Sequence, residues 1–424
     1  MKAQLEEQGV KEAAEAEEKG EEEEDRAMAH LFEETTLTGI PMKNRIIRSA
    51  THEAMATEQG GPREELIHLY EKLAEGGVGC LITGMAAVQL TGLAFPNMLM
   101  LDKDELIEAY QPMLQSMKER NTPILIQLAH GGGKISPASS NKVAAAPSPK
   151  TYPPWSVKAR ELTESEIQGI IDDFVKAIAR AQEAGFDGVQ VHAAHGYLLH
   201  QFLSKHCNQR TDQWGGSLEN RFRIIDEIMK KARQAVGSYP IWMKISGHDG
   251  DRNGVTMADA VEAARLFQEV GGDAVEVSCG GTNFFDLIRV REIPTEAILH
   301  YDPVFSRKGA FTKKILSKML PSVIKKEAPL HLYNVEAAAA VKEAVSIPVI
   351  SVGGYRKRED MERVLEEGKA DYISLSRPLI IDPAWVNKLQ SGQKTESACI
   401  DCGYCGVALN AAPLRCYYGK IAAQ

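Results

Sequence analysis

The chain repeats one pattern eight times: a short, strand-like apolar segment is followed by an amphipathic helical segment. Strands of a parallel sheet that is covered on both faces are almost continuously apolar, and a helical crossover returns the chain to the start of the next strand. Eight such units are the number that closes a parallel sheet on itself. The pattern therefore predicts an α/β fold, a (β/α)8 TIM barrel, with a functional site at the carboxyl ends of its strands.

The predicted strands are 45–49, 79–83, 123–128, 188–192, 241–245, 274–278, 348–351 and 372–374. The helices that follow them are 63–75, 103–119, 163–184, 217–235, 256–270, 335–344, 359–368 and one that begins near 383. A doubly wound open sheet is the rival fold. It would need a G-x-G-x-x-G fingerprint after its first strand, and the sequence NRIIRSATHEAMAT at that place has none.

Charge and composition divide the chain into three parts. Residues 1–30 form an acidic tail, predicted to be a frayed helix or disordered, because Met1 to Arg26 hold 11 acidic and 4 basic residues of a chain whose net charge is −9. Residues 31–390 form the barrel and 391–424 a short extension. The chain lacks the basic face of a nucleic-acid-binding protein, a secretory signal and an apolar stretch of membrane-spanning length, so we expect a cytoplasmic protein.

The loop after the fourth strand is the strongest candidate site. His192 and His195 lie three residues apart at the strand end, and Tyr197 follows them. Two imidazoles and a phenol suit the polarisation of a carbonyl oxygen and the protonation of a neighbouring carbon. Structural histidines are one alternative and half of a metal site is another, although zinc needs three or four ligands.

The residues of this loop also carry a resemblance. The run H-x-x-H-G-Y-L-x-x-Q-F-L-x4-N-x-R-T-D-x-W-G-G-S-x-x-N-R, at 192–221, resembles the signature of the old yellow enzyme family, the FMN-dependent NADH:flavin oxidoreductases. Trp214 stands where a tyrosine is usual. The resemblance implies that His192 and His195 bind a carbonyl group and that Tyr197 donates a proton. The remaining polar residues of the motif are expected to hold the loop together: Asn208, Arg210, Asp212, Asn220 and Arg221.

Two loops have the position of a phosphate site. Gly353-Gly354 follows the seventh strand and Ser376-Arg377 follows the eighth, where barrels of this kind bind phosphate through backbone amides. Arg377 adds a cation that can bind an anion with two hydrogen bonds. A plain turn is the alternative for the two glycines.

For residues at three other strand ends, only the resemblance to the old yellow enzyme family implies a function, which is contact with the flavin. It places Ala50, Thr51, Gly84 and Gln127 against the flavin, with small residues leaving room for its ring.

Lys244 ends the fifth strand, where a cation would stabilise an anionic reduced flavin. A lone buried lysine can instead form a Schiff base, so a class I aldolase-type lyase is one alternative. A non-catalytic flavin-binding protein is another.

The resemblance implies one reaction. NAD(P)H would reduce FMN, which would pass hydride to the C=C bond of an α,β-unsaturated carbonyl compound. The partners are then an enone and a nicotinamide that visits the same pocket, with no nucleic acid and no membrane. A homo-oligomer is compatible with this reading.

Four cysteines, Cys399, Cys402, Cys405 and Cys416, cluster after the last barrel helix. Such spacing can bind an iron–sulfur cluster or zinc, or it can be a group of packed thiols. The larger relatives of the family carry a [4Fe-4S] motif here. In their motif the second gap, which is two residues between Cys402 and Cys405, and the third gap, which is ten residues between Cys405 and Cys416, are each one residue longer. Either a [4Fe-4S] cluster or zinc is therefore a candidate cofactor beside FMN.

Overall fold

The computed structural model describes residues 30–139, 143–152, 157–324 and 328–421. Eight parallel strands form its centre: β1 (Ile46–Arg48), β2 (Cys80–Ala87), β3 (Ile124–Ala129), β4 (Gly188–Ala193), β5 (Ile241–Ser246), β6 (Ala274–Ser278), β7 (Val349–Val352) and β8 (Tyr372–Leu375). Each strand pairs with the next, and β8 pairs with β1. The sheet is therefore closed, which confirms the predicted barrel and excludes the open sheet.

One helix follows each strand on the outside of the barrel. These are α1 (Glu64–Glu75), α2 (Gln111–Glu119), α3 (Glu164–Ala184), α4 (Leu218–Val236), α5 (Met257–Glu269), α6 (Val335–Ala344), α7 (Arg358–Glu366) and α8 (Trp385–Gln390). Local sequence signals fix the longest one. Thr163 and Glu166 form a capping box at the start of α3, and Gly185 ends the helix with φ 95°.

The sequence predicted one helix over 103–119, and here the structure differs. It contains a short helix, Glu105–Ala109, and then α2, with Tyr110 between them. Pro112 is the cause we infer, because it has no N–H to continue the helix and is tolerated in a first turn.

The amino-terminal end of the barrel is plugged. A hairpin of Thr35–Leu37 and Ile40–Met42 packs Leu37 and Met42 against the barrel interior, and the Trp242 indole donates a hydrogen bond to the Thr38 hydroxyl at 2.9 Å. An apolar plug at this end leaves the carboxyl ends of the strands as the open end.

Two long connections lie at that open end. The β3–α3 connection holds the short strands Ala145–Ala146, Lys150–Thr151 and Lys158–Glu161. The β6–α6 connection holds the helices Phe284–Ile288, Thr295–Tyr301 and Ala310–Val323. The second connection packs against the extension helix Tyr404–Ala408 in a small separate core that contains Leu320 and Val407.

The sequence leaves two alternatives for the aromatic residues of this connection, Phe284, Phe285, Tyr301 and Phe305: they line a pocket or they pack locally. The structure shows local packing for Phe285, Tyr301 and Phe305, which belong to the small separate core. The side chain of Phe284 lies outside the described residues. Within the described parts of the chain, none of the helices combines the length and the hydrophobicity needed to span a bilayer.

Candidate active site

A cavity opens at the carboxyl ends of the strands. The predicted site residues that line it are Ala50, Thr51, Gln127, His192, His195, Tyr197, Lys244, Gly353, Gly354, Ser376 and Arg377. They come from six strand ends and from the loops that follow them. The fold thus brings together residues that are up to 327 positions apart, as Ala50 and Arg377 are.

Gly84 does not line the cavity, contrary to the expectation from the resemblance. Its amide donates to the Glu53 carboxylate at 3.0 Å, and a Cβ at this position would come within 1.9 Å of Glu53 Oε2. Close packing against Glu53, which also forms an ion pair with Arg48 at 2.6 Å, explains why glycine stands here. The next residue, Met85, lines the cavity instead.

The histidine loop forms a compact aromatic group. The rings of His192 and His195 lie 4.9 Å apart at 79°, and the rings of His192 and Tyr197 lie 5.1 Å apart. His195 has φ 64°, so the backbone turns sharply after β4 and brings its side chain back beside His192. Ser278 holds the His195 ring, with 2.8 Å between its hydroxyl and Nε2. His192 Nδ1 is buried and has no partner among the described residues.

Burial sets the protonation of these groups. It holds the pKa of His192 and of His195 well below the usual value, and the nearby Lys244 contributes in the same direction. Burial also raises the pKa of Tyr197. Both imidazoles are therefore neutral at pH 7 and Tyr197 keeps its proton.

Lys134 stabilises the histidine loop through hydrogen bonds to the backbone. Its ammonium donates to the carbonyl oxygens of His195 at 2.8 Å and Gly281 at 3.0 Å, and it lies 5.3 Å from the centre of the Tyr197 ring. Burial lowers the pKa of Lys134 to about 8. The lysine connects the histidine loop to the loop after β6.

Lys244 is paired within the barrel. Its ammonium lies 3.1 Å from Glu276 Oε2 and donates to the Ser49 hydroxyl at 2.9 Å, and all three residues are buried. Lys244 and Glu276 are register partners on β5 and β6. Burial lowers the pKa of Lys244, and the Glu276 carboxylate opposes this shift. An ion pair of this kind favours the charged ammonium over the free amine that a Schiff base requires.

A chain of hydrogen bonds continues from Glu276 across the barrel interior. Gln190 donates to Glu276 Oε2 at 2.7 Å, and Gln127 donates to Gln190 Oε1 at 2.7 Å. The orientation of Gln127 is thus fixed by residues from two other strands. Gln127 and Lys244 are predictable from the sequence, and Glu276 was not predicted, although a lone carboxylate in the apolar strand AVEVS was a usable signal.

The two phosphate-site loops adjoin each other in the lining of the cavity. Gly353 and Gly354 have φ 136° and 78°, and a Cβ on Gly354 would come within 2.5 Å of the Leu332 amide nitrogen. The hydroxyl of Ser376, on the loop after β8, is hydrogen-bonded at 2.8 Å to the hydroxyl of Thr51, on the loop after β1. These glycines therefore serve a close backbone approach and are more than an ordinary turn.

Two arginines lie at this end of the cavity, and both bind one carboxylate. Arg356 and Arg377 pair with Asp401 Oδ1, the latter at 3.0 Å, while His331 approaches Oδ2 at 3.2 Å. Asp401 is buried and belongs to the cysteine-containing extension. The sequence analysis missed Arg356 and Asp401, because no local pattern relates an extension residue to the barrel loops.

Four polar residues of the motif make the contacts predicted to hold the loop. Asn208 donates to the carbonyl oxygens of Phe202 and Trp214, Arg210 pairs with Asp212 at 2.5 Å, and Arg221 pairs with Asp259 at 3.0 Å. The fifth, Asn220, accepts a hydrogen bond from Arg223 within α4. Trp214 is buried, and its indole donates to Glu164 at 2.5 Å. The change from tyrosine to tryptophan therefore lies in a structural turn.

The four cysteines lie in the extension, whose Cys405 also lines the cavity. All four are free and three of them, Cys399, Cys402 and Cys416, influence the pKa of Cys405, which burial raises to about 12. Among the described residues no group of three or more potential ligands has metal-binding geometry. The proposed metal ligands therefore stay a prediction.

The model of the NADH:flavin oxidoreductase / NADH oxidase family matches residues 30–294 and 309–396. The chain belongs to this family. Membership confirms the resemblance seen in the sequence and the flavin oxidoreductase class that it implied.

Named relatives agree with the family. An NADPH dehydrogenase of Bacillus subtilis (strain 168) is 30% identical over 368 residues, which are 86% of this chain and 96% of the relative. An NADH oxidase of Thermoanaerobacter brockii is 30% identical over 377 residues, or 88% of this chain and 52% of the relative. The chain thus spans about half the length of that NADH oxidase.

The fold has matching solved structures. An old yellow enzyme homologue from Zymomonas mobilis superposes with a TM-score of 0.69 at 23% identity, covering 88% of this chain and 95% of the other. The same barrel is therefore shared, and the family model and the Lys244–Glu276 ion pair together disfavour the aldolase alternative.

Proposed function

We propose that the chain is an FMN-dependent ene-reductase, which uses NAD(P)H to reduce the C=C bond of an α,β-unsaturated carbonyl compound. The observation that carries the proposal is the convergence of His192, His195 and Tyr197 with Lys244 and the two phosphate-site loops on one cavity. A carbonyl-binding pair, a proton donor and a cofactor cradle in one place are what such a reaction requires.

The residues present fit FMN. Two buried polar atoms of cavity-lining residues, His192 Nδ1 and Ser374 Oγ, have no partner among the described residues and suit a polar ligand. Arg356 and Arg377 face a single carboxylate, Asp401, and leave an excess of positive charge for a phosphate. Bound FMN would supply the hydride that it receives from the nicotinamide.

We infer that Gln127 and Lys244 hold the polar edge of the flavin, with Ala50 and Thr51 beside its ring. Gly353, Gly354, Ser376, Arg356 and Arg377 would hold its phosphate. Glu276 sets the charge at Lys244, because it lies 3.1 Å from the ammonium and is itself buried.

The histidine pair would hold the substrate carbonyl. A neutral imidazole has one N–H donor. When Nε2 of His195 accepts a hydrogen bond from the Ser278 hydroxyl, Nδ1 carries the hydrogen and can donate a hydrogen bond to a carbonyl oxygen. Two donors at one oxygen draw electron density from the conjugated C=C bond and make its far carbon more electrophilic.

Tyr197 would protonate the carbon next to the carbonyl. Its hydroxyl keeps its proton at neutral pH, and Lys134, 5.3 Å from the ring centre, stabilises the phenolate that forms when the proton leaves. The small-molecule enone and the nicotinamide are proposed to bind in turn to the cavity that His192, His195 and Tyr197 line.

The test is to purify the chain, reconstitute it with FMN and record its visible spectrum. We expect a yellow protein that releases FMN on denaturation and that oxidises NADH or NADPH when 2-cyclohexenone is added. Arg377→Ala should weaken FMN binding, whereas Lys357→Ala, an exposed neighbour outside the cavity, is the matched control. A chain that binds no FMN after reconstitution contradicts the proposal.

For the extension, we propose that Cys399, Cys402, Cys405 and Cys416 bind a [4Fe-4S] cluster or zinc. The support is their spacing and their common place beside the cavity. Anaerobic purification followed by iron, sulfide and zinc analysis decides between them. Metal below one equivalent in every preparation would leave a group of packed thiols.

A further inference from the structure

The helix Ala310–Val323 has an apolar face that the rest of the described chain does not cover. Phe311, Ile315, Met319 and Val323 are 78%, 45%, 51% and 66% exposed. Residues four apart lie on successive turns of one helix face, so the four side chains form a continuous row. On the other side Leu320 is buried in the small separate core, which fixes the row toward solvent.

The same segment is strongly basic. Residues 303–324 contain Arg307, Lys308, Lys313, Lys314 and Lys318 and no acidic residue, in a chain whose net charge is −9. None of these five cations forms an ion pair within the described ranges. Lys314 and Lys318 follow Phe311 and Ile315 by three positions and therefore both lie along one edge of the apolar row.

We propose that this helix binds the surface of an anionic lipid bilayer. An apolar row bordered by lysines is the pattern of a helix that lies in a membrane interface, with its apolar side chains among the acyl chains and its cations at the lipid phosphates. The proposal is for a peripheral contact. It does not depend on the reaction proposed above.

Other occupants fit the face less well. A second copy of the chain in a twofold contact would bring five unpaired cations against the same five cations. The acidic segment Met1 to Arg26 would neutralise the charge, but its large apolar side chains are only Met1, Leu5 and Val10, too few to cover the row.

The experiment is sedimentation of the full chain with vesicles of phosphatidylcholine alone and of phosphatidylcholine mixed with phosphatidylglycerol. We expect binding to the mixed vesicles and its loss at high salt. The double variant Phe311→Ser, Met319→Ser should bind at least about tenfold more weakly, since two apolar side chains no longer enter the lipid. Lys314→Gln, Lys318→Gln should weaken binding by about fivefold per lysine.

Met257→Ser is the matched control, because Met257 is 47% exposed at the start of α5 and lies outside this helix. Its binding should equal that of the unchanged chain. Unaltered circular dichroism of every variant shows that a loss of binding is not a loss of fold.

Four results would overturn the proposal. If the chain does not bind mixed vesicles at low salt, or if it binds neutral vesicles equally well, it has no site for an anionic surface. A dimer in light scattering that Phe311→Ser dissociates assigns the face to a second copy. A photocrosslinker at position 311 that captures residues 1–29 of the same chain, without vesicle binding, assigns the face to the acidic tail.

Discussion

The proposed role of Tyr197 as the proton donor can be tested by removing its hydroxyl oxygen. Its ring packs against His192 at 5.1 Å, and burial raises the pKa of its hydroxyl. Replacing Tyr197 by Phe should preserve that packing and remove only the hydroxyl group that carries the proton. We expect flavin reoxidation by an enone to slow by about 10²-fold or more, while reduction by the nicotinamide is spared. Stopped-flow measurement of the two half-reactions checks this, and equal slowing of both would show that Tyr197 is not the proton donor.

Substitutions of Lys244 and of Glu276 should shift the reduction potential of the flavin in opposite directions. Lys244→Met removes a cation and should lower the potential, whereas Glu276→Gln removes an anion 3.1 Å from Lys244 and should raise it. Shifts of about 30 mV correspond to about 1.4 kcal/mol for a two-electron couple. Dye-linked potentiometry measures both.

The single variants also leave a buried charge without its partner, so each should lose stability. The double variant Lys244→Met, Glu276→Gln is the control, since it removes both charges together. Shifts of the same sign in both single variants would place the pair away from the flavin.

At the scale of elements, Gly354 of the β7–α7 loop must be glycine for two separate reasons. It has φ 78°, and a Cβ there would come within 2.5 Å of the Leu332 amide nitrogen. Gly368, between α7 and β8, has φ 64° but nothing within 4 Å of its Cβ position. Gly354→Ala should therefore displace the loop and weaken FMN binding by tenfold or more, whereas Gly368→Ala should cost only about 1 kcal/mol of backbone strain. Fluorescence titration with FMN checks this, and equal FMN affinity in both variants would exclude the loop from the phosphate site.

The whole molecule should lose stability as the pH falls below 6.5. Burial lowers the pKa of His52 to about 4 and of His130 to about 3, and it holds those of His192 and His195 well below their usual value. The unfolded chain binds protons at these residues near pH 6.5 and the folded chain does not, so protonation favours unfolding.

One pH unit below 6.5, each such histidine lowers the free energy of unfolding by about 1.4 kcal/mol, or by about 5.6 kcal/mol for the four together. Urea unfolding at pH 7.5 and 5.5 measures the loss. His130→Gln should remove about a quarter of this loss, because one of the four histidines is then absent. His130 is chosen because it lies outside the residues that line the cavity. Stability that does not change between these pH values would mean that the four histidines are protonated in the folded chain.

The sequence by itself determined the closed barrel and most of the candidate site. Eight apolar strands that alternate with amphipathic helices have few ways to bury both faces of a sheet, and residues at the carboxyl ends of parallel strands meet at one edge. His192, His195, Tyr197, Lys244 and both phosphate-site loops were predicted on that basis and from the family motif, and all of them line the cavity.

The tertiary structure decided the partners of these residues. Glu276 beside Lys244, Ser278 on His195, and Asp401 between two arginines all join strands or loops that are distant in the chain. Gly84 likewise faces Glu53, while Met85 faces the cavity. A local pattern assigns a residue to a strand end, but register, barrel closure and the path of the extension determine which charge it meets. Those depend on packing over the whole chain, which no local stretch of sequence encodes.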